Sequence, residues 1–312
     1  MKTQLIGTSS LLTTRLAYGC WRLAGTWEPS EVTADMRKTG VQAAIAAFEA
    51  GYTLFDHADI YCHGIAESIF GEALKQMPEM RDKILIATKC GIRFPGEPNP
   101  NSPQRYDFSA EHIQFSCEQS LKRLGIDTID LYQLHRPDFL MDPEEVAGAF
   151  DRLRREGKVR EFGVSNFRSS QVSALQKVCP MPLLVNQVEI SLAFLDCFND
   201  GTLDQCLENQ MTPLAWSPLG RGVLGTGCLP DCNAPKKINE LLAVMDNMAQ
   251  QRGTTRTVIA LAWLLKHPAK IIPIVGSVKP ERIQEAVQAD SIELSREEWY
   301  QLLLAARGER LP

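Results

Sequence analysis

Short apolar runs rich in β-branched residues recur along this chain, and each stops abruptly on a side chain capable of chemistry or binding. GYTLFD ends on Asp56, KILIATK on Lys89, DTIDLYQLH on His135 and VREFGVSN on Ser165 and Asn166. MPLLVNQ ends on Gln187, MTPLAWS on Trp216 and Ser217, and KIIPIVGS on Gly276 and Ser277. Helix-like stretches separate the runs. Strand–helix alternation with polar groups at the C-terminal end of strand after strand describes an α/β (β/α)8 TIM barrel, whose active site lies at that face. One pattern therefore predicts both a fold and the location of its site.

The remaining segments fit that frame. LIGTSSLLTT reads as an N-terminal β-hairpin that plugs the bottom of the barrel. TGVQAAIAAFEAG puts Val41, Ile45 and Phe48 on one helical face and stops at Gly51. SAEHIQFSCEQSLKRLG is a helix capped by Ser109 and stopped by Gly125, and Asp142-Pro143-Glu144-Glu145 opens the next one with cap, proline and acidic first turn. TVIALAWLLKHP is an apolar helix, and SREEWYQLLLAA is an extra C-terminal helix with a Ser295/Glu298 capping box. Two segments exceed ordinary βα loops: GIRFPGEPNPNSPQRYDF after strand three and SPLGRGVLGTGCLPDCNAPKK after strand seven. Both are expected to rise from the active-site face and cover it.

At 312 residues and 44% hydrophobic, the chain can bury one large core, and no linker or low-complexity tract divides it, so residues 1–312 are expected to form a single domain. A formal charge of −5 gives no electrostatic footprint for nucleic acid or an anionic membrane. No run of about 18 uncharged apolar residues suggests a span, and the N-terminus is too polar for a signal-peptide core. Nine singly scattered cysteines fit reduced thiols and a cytoplasmic location. Cys228 and Cys232 are the closest pair, but no second pair or nearby histidine completes a zinc site, and no metal is expected.

Asp56, Tyr61, Lys89 and His135 form the constellation best suited to chemistry. Tyr61 lies just beyond the tip of strand two, where a loop can carry its hydroxyl over the barrel mouth. A phenol is a poor proton donor or acceptor at neutral pH unless assisted, and a neighbouring ammonium lowers its pKa. Lys89 is expected to supply that charge, Asp56 to hold Lys89, and His135 to hydrogen-bond the reacting oxygen. Each taken alone is more simply a structural pair at the rim; four at separate strand ends are not.

GYTLFDHADIY, ATKCG, LYQLHRPD, GVSNF, NQVEIS, WSPLGRGVLG and IPIVGSVKPERI together resemble the aldo-keto reductase superfamily, in order, from about residue 15 to 290. The short loop after strand seven and the Gly276-Ser277 ending look most like the bacterial and potassium-channel β-subunit branches. The resemblance implies hydride transfer between the nicotinamide of NADPH/NADP+ and a small-molecule carbonyl, with Tyr61 as proton donor and Asp56, Lys89 and His135 completing a tetrad. It further implies that Ser165, Asn166 and Gln187 hydrogen-bond the nicotinamide carboxamide while Trp216 stacks on its ring.

Gly220 to Gly225 happens to fit G-x-G-x-x-G, yet it follows strand seven in a proline-flanked loop rather than opening a βαβ unit, so a Rossmann reading fails. Ser217, Leu219, Gly220 and Gly222 are expected instead to bring loop backbone close to a pyrophosphate. Ser277, Lys279 and Arg282 open the last barrel helix, a fitting place for a 2′-phosphate. The family often carries a basic residue where Gly276 stands and an Asn where Ala286 stands, so the adenine end is partly rewritten. Trp21, Trp27, Phe94 and Tyr106 are candidate walls of a substrate pocket, with Arg22, Arg93 and Arg136 near the same rim, and the absence of a long C-terminal loop points to an open site. Neither the natural substrate nor the oligomeric state is legible. Two other readings stay open: an NADPH-binding regulatory subunit with little turnover, and a Schiff-base aldolase using Lys89, which Asp56 would disfavour by keeping the amine protonated.

Overall fold

The computed structural model describes residues 1–227 and 236–311. Cys228 and Cys232 lie outside the described residues. The chain opens with strands β1 (Thr3–Leu5) and β2 (Leu12–Thr14), an antiparallel hairpin. Then come β3 (Ala17–Gly19), α1 (Ala34–Glu49), β4 (Leu54–Asp56), α2 (Ile65–Gln76) and β5 (Leu85–Cys90). A small ribbon, β6 (Ile92–Arg93) and β7 (Arg105–Tyr106), leads to α3 (Ala110–Leu124), β8 (Ile129–Leu134), α4 (Pro143–Arg155), β9 (Val159–Ser165) and α5 (Ser169–Gln176). The chain finishes with β10 (Leu183–Glu189), α6 (Thr202–Glu208), β11 (Thr212–Trp216), α7 (Lys236–Gln251), α8 (Arg256–Leu265), β12 (Ile272–Val275), α9 (Pro280–Val287) and α10 (Arg296–Arg307).

Eight parallel strands, β3, β4, β5, β8, β9, β10, β11 and β12, close into one barrel in that order, with β12 pairing back on β3. This is the expected (β/α)8 barrel. Every residue of β3, β4, β5, β8 and β12 is buried, as strands covered on both faces must be. The hairpin closes the N-terminal end: Ile6 and Leu11 pack with Leu54, Leu85, Leu131, Leu184 and Leu214 from the strand starts. Gly7 has a φ of +54° there and donates its amide to Thr212 Oγ1 at 2.8 Å. A Cβ there would lie 3.0 Å from Leu184, so a side chain would be strained by its backbone and would press on Leu184.

Local signals place the helix ends. Ser109 Oγ accepts the His112 amide and Gly125 ends α3 at φ +67°. Asp142 caps α4 through the amides of Glu144 and Glu145, and Ser295 and Glu298 form a reciprocal capping box on α10. Two features go beyond the sequence reading. The long segment after β5 contains the β6–β7 ribbon, with Ile92 opposite Tyr106. Helix α7, unassigned in the sequence reading, buries Leu241, Leu242, Met245 and Met248 in a cluster shared with α8 and α10. Among the described residues no helix is long and apolar enough to cross a membrane.

Candidate active site

Parallel register delivers the polar strand ends to one level. Asp56 closes β4 opposite Gly19 of β3, Lys89 of β5 stands opposite Gln133 of β8, and Ser165 closes β9 opposite Gln187 of β10. His135 follows β8 directly, Trp216 ends β11, and Gly276 follows β12. Tyr61 comes from the turn after β4. That turn is tied down by amides of His57 and Asp59 donating to Ala87 O (2.8 Å) and Lys89 O (3.1 Å). Ser116 of α3 also donates to the Asp59 carboxylate. Cys62, His63 and Gly64 follow with φ of 47°, 51° and 86°. This left-handed stretch reverses the chain into α2. At φ 86° glycine is the favoured residue, and a Cβ on Gly64 would lie 2.5 Å from Arg123 Nε and displace that side chain.

Lys89 is the hub. Its side chain is fully buried, and Nζ donates to Asp56 Oδ2 at 2.8 Å, to His57 O at 2.6 Å and to Tyr61 OH at 3.3 Å. All three ammonium protons are thereby used. The other carboxylate oxygen, Asp56 Oδ1, accepts from Gln187 Nε2 at 2.8 Å. Ser165 Oγ donates to Gln187 O (2.8 Å), and Asn166 Nδ2 donates to Ser165 Oγ (2.8 Å) and His135 O (3.1 Å). Trp216 Nε1 donates to Asn166 Oδ1 at 3.0 Å. The His135 ring stands edge-on to Tyr61 at 6.1 Å, and its Nδ1 has no partner among the described residues.

Burial dominates the electrostatics. It would push the Lys89 ammonium down, but Asp56 and Tyr61 overcome it and raise its pKa above the ordinary value. His135 is driven well below the usual imidazole range by burial, with the charges of Lys89 and Arg136 adding to the effect, so the ring is neutral at pH 7. Tyr61 departs from the sequence expectation. Burial raises the phenol's pKa above 10.0, and Lys89 offsets this only in part. Tyr61 is thus a protonated phenol at neutral pH, held against the cation that would stabilise its anion.

A cavity of about 310 Å³ opens over this network, walled by Trp21, Trp27, Tyr61, His135, Arg136 and Trp216. Trp27 also meets the Tyr61 ring edge-on at 6.0 Å. A trench of about 180 Å³ adjoins it, sharing Trp21, Ser217 and Ile274, and runs past Leu219, Gly222, Gly276 and Ser277 to Arg282 on α9. Gly276 keeps the junction open, since a Cβ there would sit 2.6 Å from Trp21 Nε1. Gly220 stands in the turn beside the trench and Lys279 is the N-cap of α9. Among the described residues neither Lys279 nor Arg282 has a carboxylate partner, and both are exposed.

The structure therefore gathers Asp56, Tyr61, Lys89 and His135 with Ser165, Asn166, Gln187 and Trp216 at one mouth. Of the four proposed pocket aromatics it brings Trp21 and Trp27 to the cavity wall but neither Phe94, which stacks on His63 at 4.1 Å, nor Tyr106, whose ring lies 6.4 Å from that of Phe139. Arg93 is turned to Asp107 at 3.1 Å, and Arg22 lies over the Trp21 ring and borders the trench. Sequence reasoning did not single out Ile60, Ile92 and Ile274 as cavity walls, nor Thr226, Thr257 and Glu285 on the trench. Thr226 Oγ1 bonds both Thr257 and Glu285, at 2.7 and 2.8 Å. Ile92 sits beside the strand-three tip, which was the available signal; the threonines carry none.

The model of the Aldo/keto reductase family matches residues 15–303. A 6-dehydroglucose reductase of Novosphingobium aromaticivorans is 41% identical over 313 residues, covering 98% of this chain and 96% of the relative. The oxidoreductase YdhF of Escherichia coli is 40% identical over 298 residues, covering 96% and 95%. The solved structure of a glycerol dehydrogenase from Gluconobacter oxydans superposes with a TM-score of 0.86 at 27% identity, covering 99% of this chain and 97% of that one.

Proposed function

The chain belongs to the aldo/keto reductase family, and we propose that it reduces aldehyde or ketone carbonyls to alcohols with NADPH, Tyr61 donating the proton. One observation carries this reading: a buried ammonium bonds at once to Asp56 and to the hydroxyl of Tyr61 on the cavity wall. Tyr61 is protonated before reaction, as a general acid must be. When the phenol gives up its proton, Lys89 stabilises the oxygen left behind without moving, since it is already in contact. Asp56 and the His57 carbonyl keep Lys89 pointed there. Neutral His135 offers a hydrogen-bonding edge beside the phenol, which orients a carbonyl oxygen without competing for its proton.

The residues of the trench fit a nicotinamide dinucleotide phosphate. Lys279 and Arg282 are exposed cations free of carboxylates among the described residues, at the start of α9, where a dianion is favoured. The trench joins the cavity at Trp21, Ser217 and Ile274, so one elongated ligand would reach from Arg282 to Tyr61. Ser165, Asn166 and Gln187 would hold the carboxamide, the Trp216 face would bear the ring, and the backbone around Leu219, Gly220 and Gly222 would meet the pyrophosphate. When bound, the cofactor supplies the hydride. Names carried by relatives bring a sugar aldehyde and a polyol into the first substrate panel.

The test pairs binding with turnover. NADPH titrated by fluorescence should bind, and its absorbance at 340 nm should fall with aldehydes and diketones. Tyr61→Phe should lower carbonyl reduction by at least about 10²-fold while NADPH affinity stays near wild type. A Tyr61→Phe enzyme that reduces aldehydes at wild-type rate would refute the proton assignment. Tight NADPH binding with no turnover on any carbonyl would point instead to a regulatory subunit.

A further inference from the structure

Arg136 follows His135 directly, so strand β8 brings an imidazole and a guanidinium to the same rim. The guanidinium lies over the Trp216 ring, 5.6 Å from its centre, and the residue is half-buried. It borders the cavity above Tyr61 and also a wider hollow of about 610 Å³ outside it; the two meet at Arg136, Asn166 and Trp216. No carboxylate among the described residues pairs with it. Of the other arginines lining the outer hollow, Arg221 is paired to Glu189 at 3.4 Å, while Arg168 is exposed with no carboxylate partner among the described residues. Acidic residues outnumber basic ones 38 to 33 in this chain, so the missing partner does not reflect a shortage of carboxylates.

We infer that Arg136 sets the substrate preference of this site, favouring carbonyl compounds that carry a carboxylate or similar anionic group at the end remote from the carbonyl. The inference rests on the reductase reading above. A planar, weakly hydrated guanidinium lying over an aromatic face is preorganised for a fork of hydrogen bonds to a carboxylate. Its position at the meeting of cavity and outer hollow leaves the reacting end for Tyr61 and His135 and the charged end for itself. The outer hollow also carries Asp196 and Asp200, both exposed, and Asp200 Oδ1 is occupied by the Thr202 amide at 2.9 Å. Arg168, also exposed, lines the same hollow, so charge of both signs lies beyond Arg136 and the anionic end of the substrate is placed by Arg136 itself.

Succinic semialdehyde and butanal test this, since they share a four-carbon aldehyde chain and differ by a carboxylate in place of a methyl group. With NADPH, the wild-type enzyme should favour succinic semialdehyde in kcat/KM by about tenfold to a hundredfold, chiefly through KM, and the preference should shrink with added salt. Arg136→Met should bring the ratio to within about threefold of unity, the size of a lost charge-assisted contact. Arg136→Lys, which keeps the charge without the planar fork, should retain part of it. The NADPH dissociation constant of each variant reports whether it is folded, and the Lys variant carries the test if the Met variant is not. Equal kcat/KM for the two aldehydes in wild type, or a ratio unchanged by both substitutions, would overturn the inference. NADPH oxidation with other carbonyls of the panel but with neither of these aldehydes would also overturn the inference, whereas NADPH binding with no oxidation on any carbonyl would instead refute the reductase reading.

Discussion

Replacing Lys89 by methionine separates what this site does for the fold from what it does for chemistry. The side chain is fully buried, Asp56 is 4% exposed, and they meet at 2.8 Å. Removing the ammonium leaves a buried carboxylate held by Gln187 alone and takes away the donor to His57 O. Breaking one half of such a pair costs about 3–5 kcal/mol, against a typical total near 5–15 kcal/mol. Lys89→Met should therefore unfold at markedly lower urea concentration, followed by the fluorescence of the five tryptophans. Asp56→Asn leaves the converse problem, an ammonium without its counter-ion. The double variant Asp56→Asn/Lys89→Met has neither orphan, and its loss should fall short of the summed single losses by about 2–4 kcal/mol. Carbonyl reduction should not return with stability, because Tyr61 still lacks its cation. Strict additivity of the two losses would refute the coupled-pair reasoning, and a double variant with near wild-type turnover would refute the role given to Lys89.

Two further outcomes follow from groups elsewhere in the site. Arg282→Ala should weaken NADPH binding by roughly 1.5–3 kcal/mol and NADH binding far less, as one charge-assisted contact to the 2′-phosphate requires; equal losses in fluorescence titrations would assign Arg282 to the pyrophosphate or the fold. His57 is fully buried against Phe70, and burial together with Lys89 lowers its pKa from 6.5 to about 3. The unfolded chain takes up this proton below pH 6.5 and the folded chain does not, so this group's contribution falls as pH drops from 6.5 toward 3. The expected loss between pH 7 and pH 5 is about 2 kcal/mol, absent in His57→Phe. Parallel stability curves for the two proteins would show that His57 is protonated in the fold.

The barrel was legible because its strands break an apolar pattern at the same relative place. Asp56, Lys89, His135 and Gln187 stand out against runs of Leu, Ile and Val, and parallel register then brings them to one level. The β6–β7 ribbon was not legible: two-residue strands separated by a proline-rich span offer no periodicity. Helix α7 did carry a signal in Ile238, Leu241, Leu242 and Met245, but its first two residues, Lys236 and Lys237, fall in the glycine- and proline-containing span that the sequence pattern assigns to a cover after strand seven. Phe94 shows the limit for loop aromatics, whose partner, here His63, depends on a path that sequence does not encode locally. Tyr61 shows a related limit: Lys89 lowers its phenol's pKa as expected, but burial outweighs that. A neighbouring lysine can be guessed from strand ends, but how much water the turn 57–64 excludes cannot, and water exclusion decides the sign.

The two halves of the site answer different physical demands. Lys89, Asp56, Gln187, Asn166 and Trp216 are tied to one another within the protein, so these groups are fixed before any ligand arrives, and disturbing one costs stability along with chemistry. Arg282 at the end of the trench and Lys279 at the α9 N-cap are exposed with no carboxylate partner among the described residues. Exposed cations of this kind add little to folding, and like-charged neighbours repel. Arg282→Ala should consequently leave the urea midpoint unchanged or slightly raised while it weakens NADPH, the opposite of the pattern expected for Lys89→Met. If Arg282→Ala instead destabilised the apo-protein as Lys89→Met does, the trench would be part of the scaffold, and the argument that its unpaired charge marks a ligand would lose its basis.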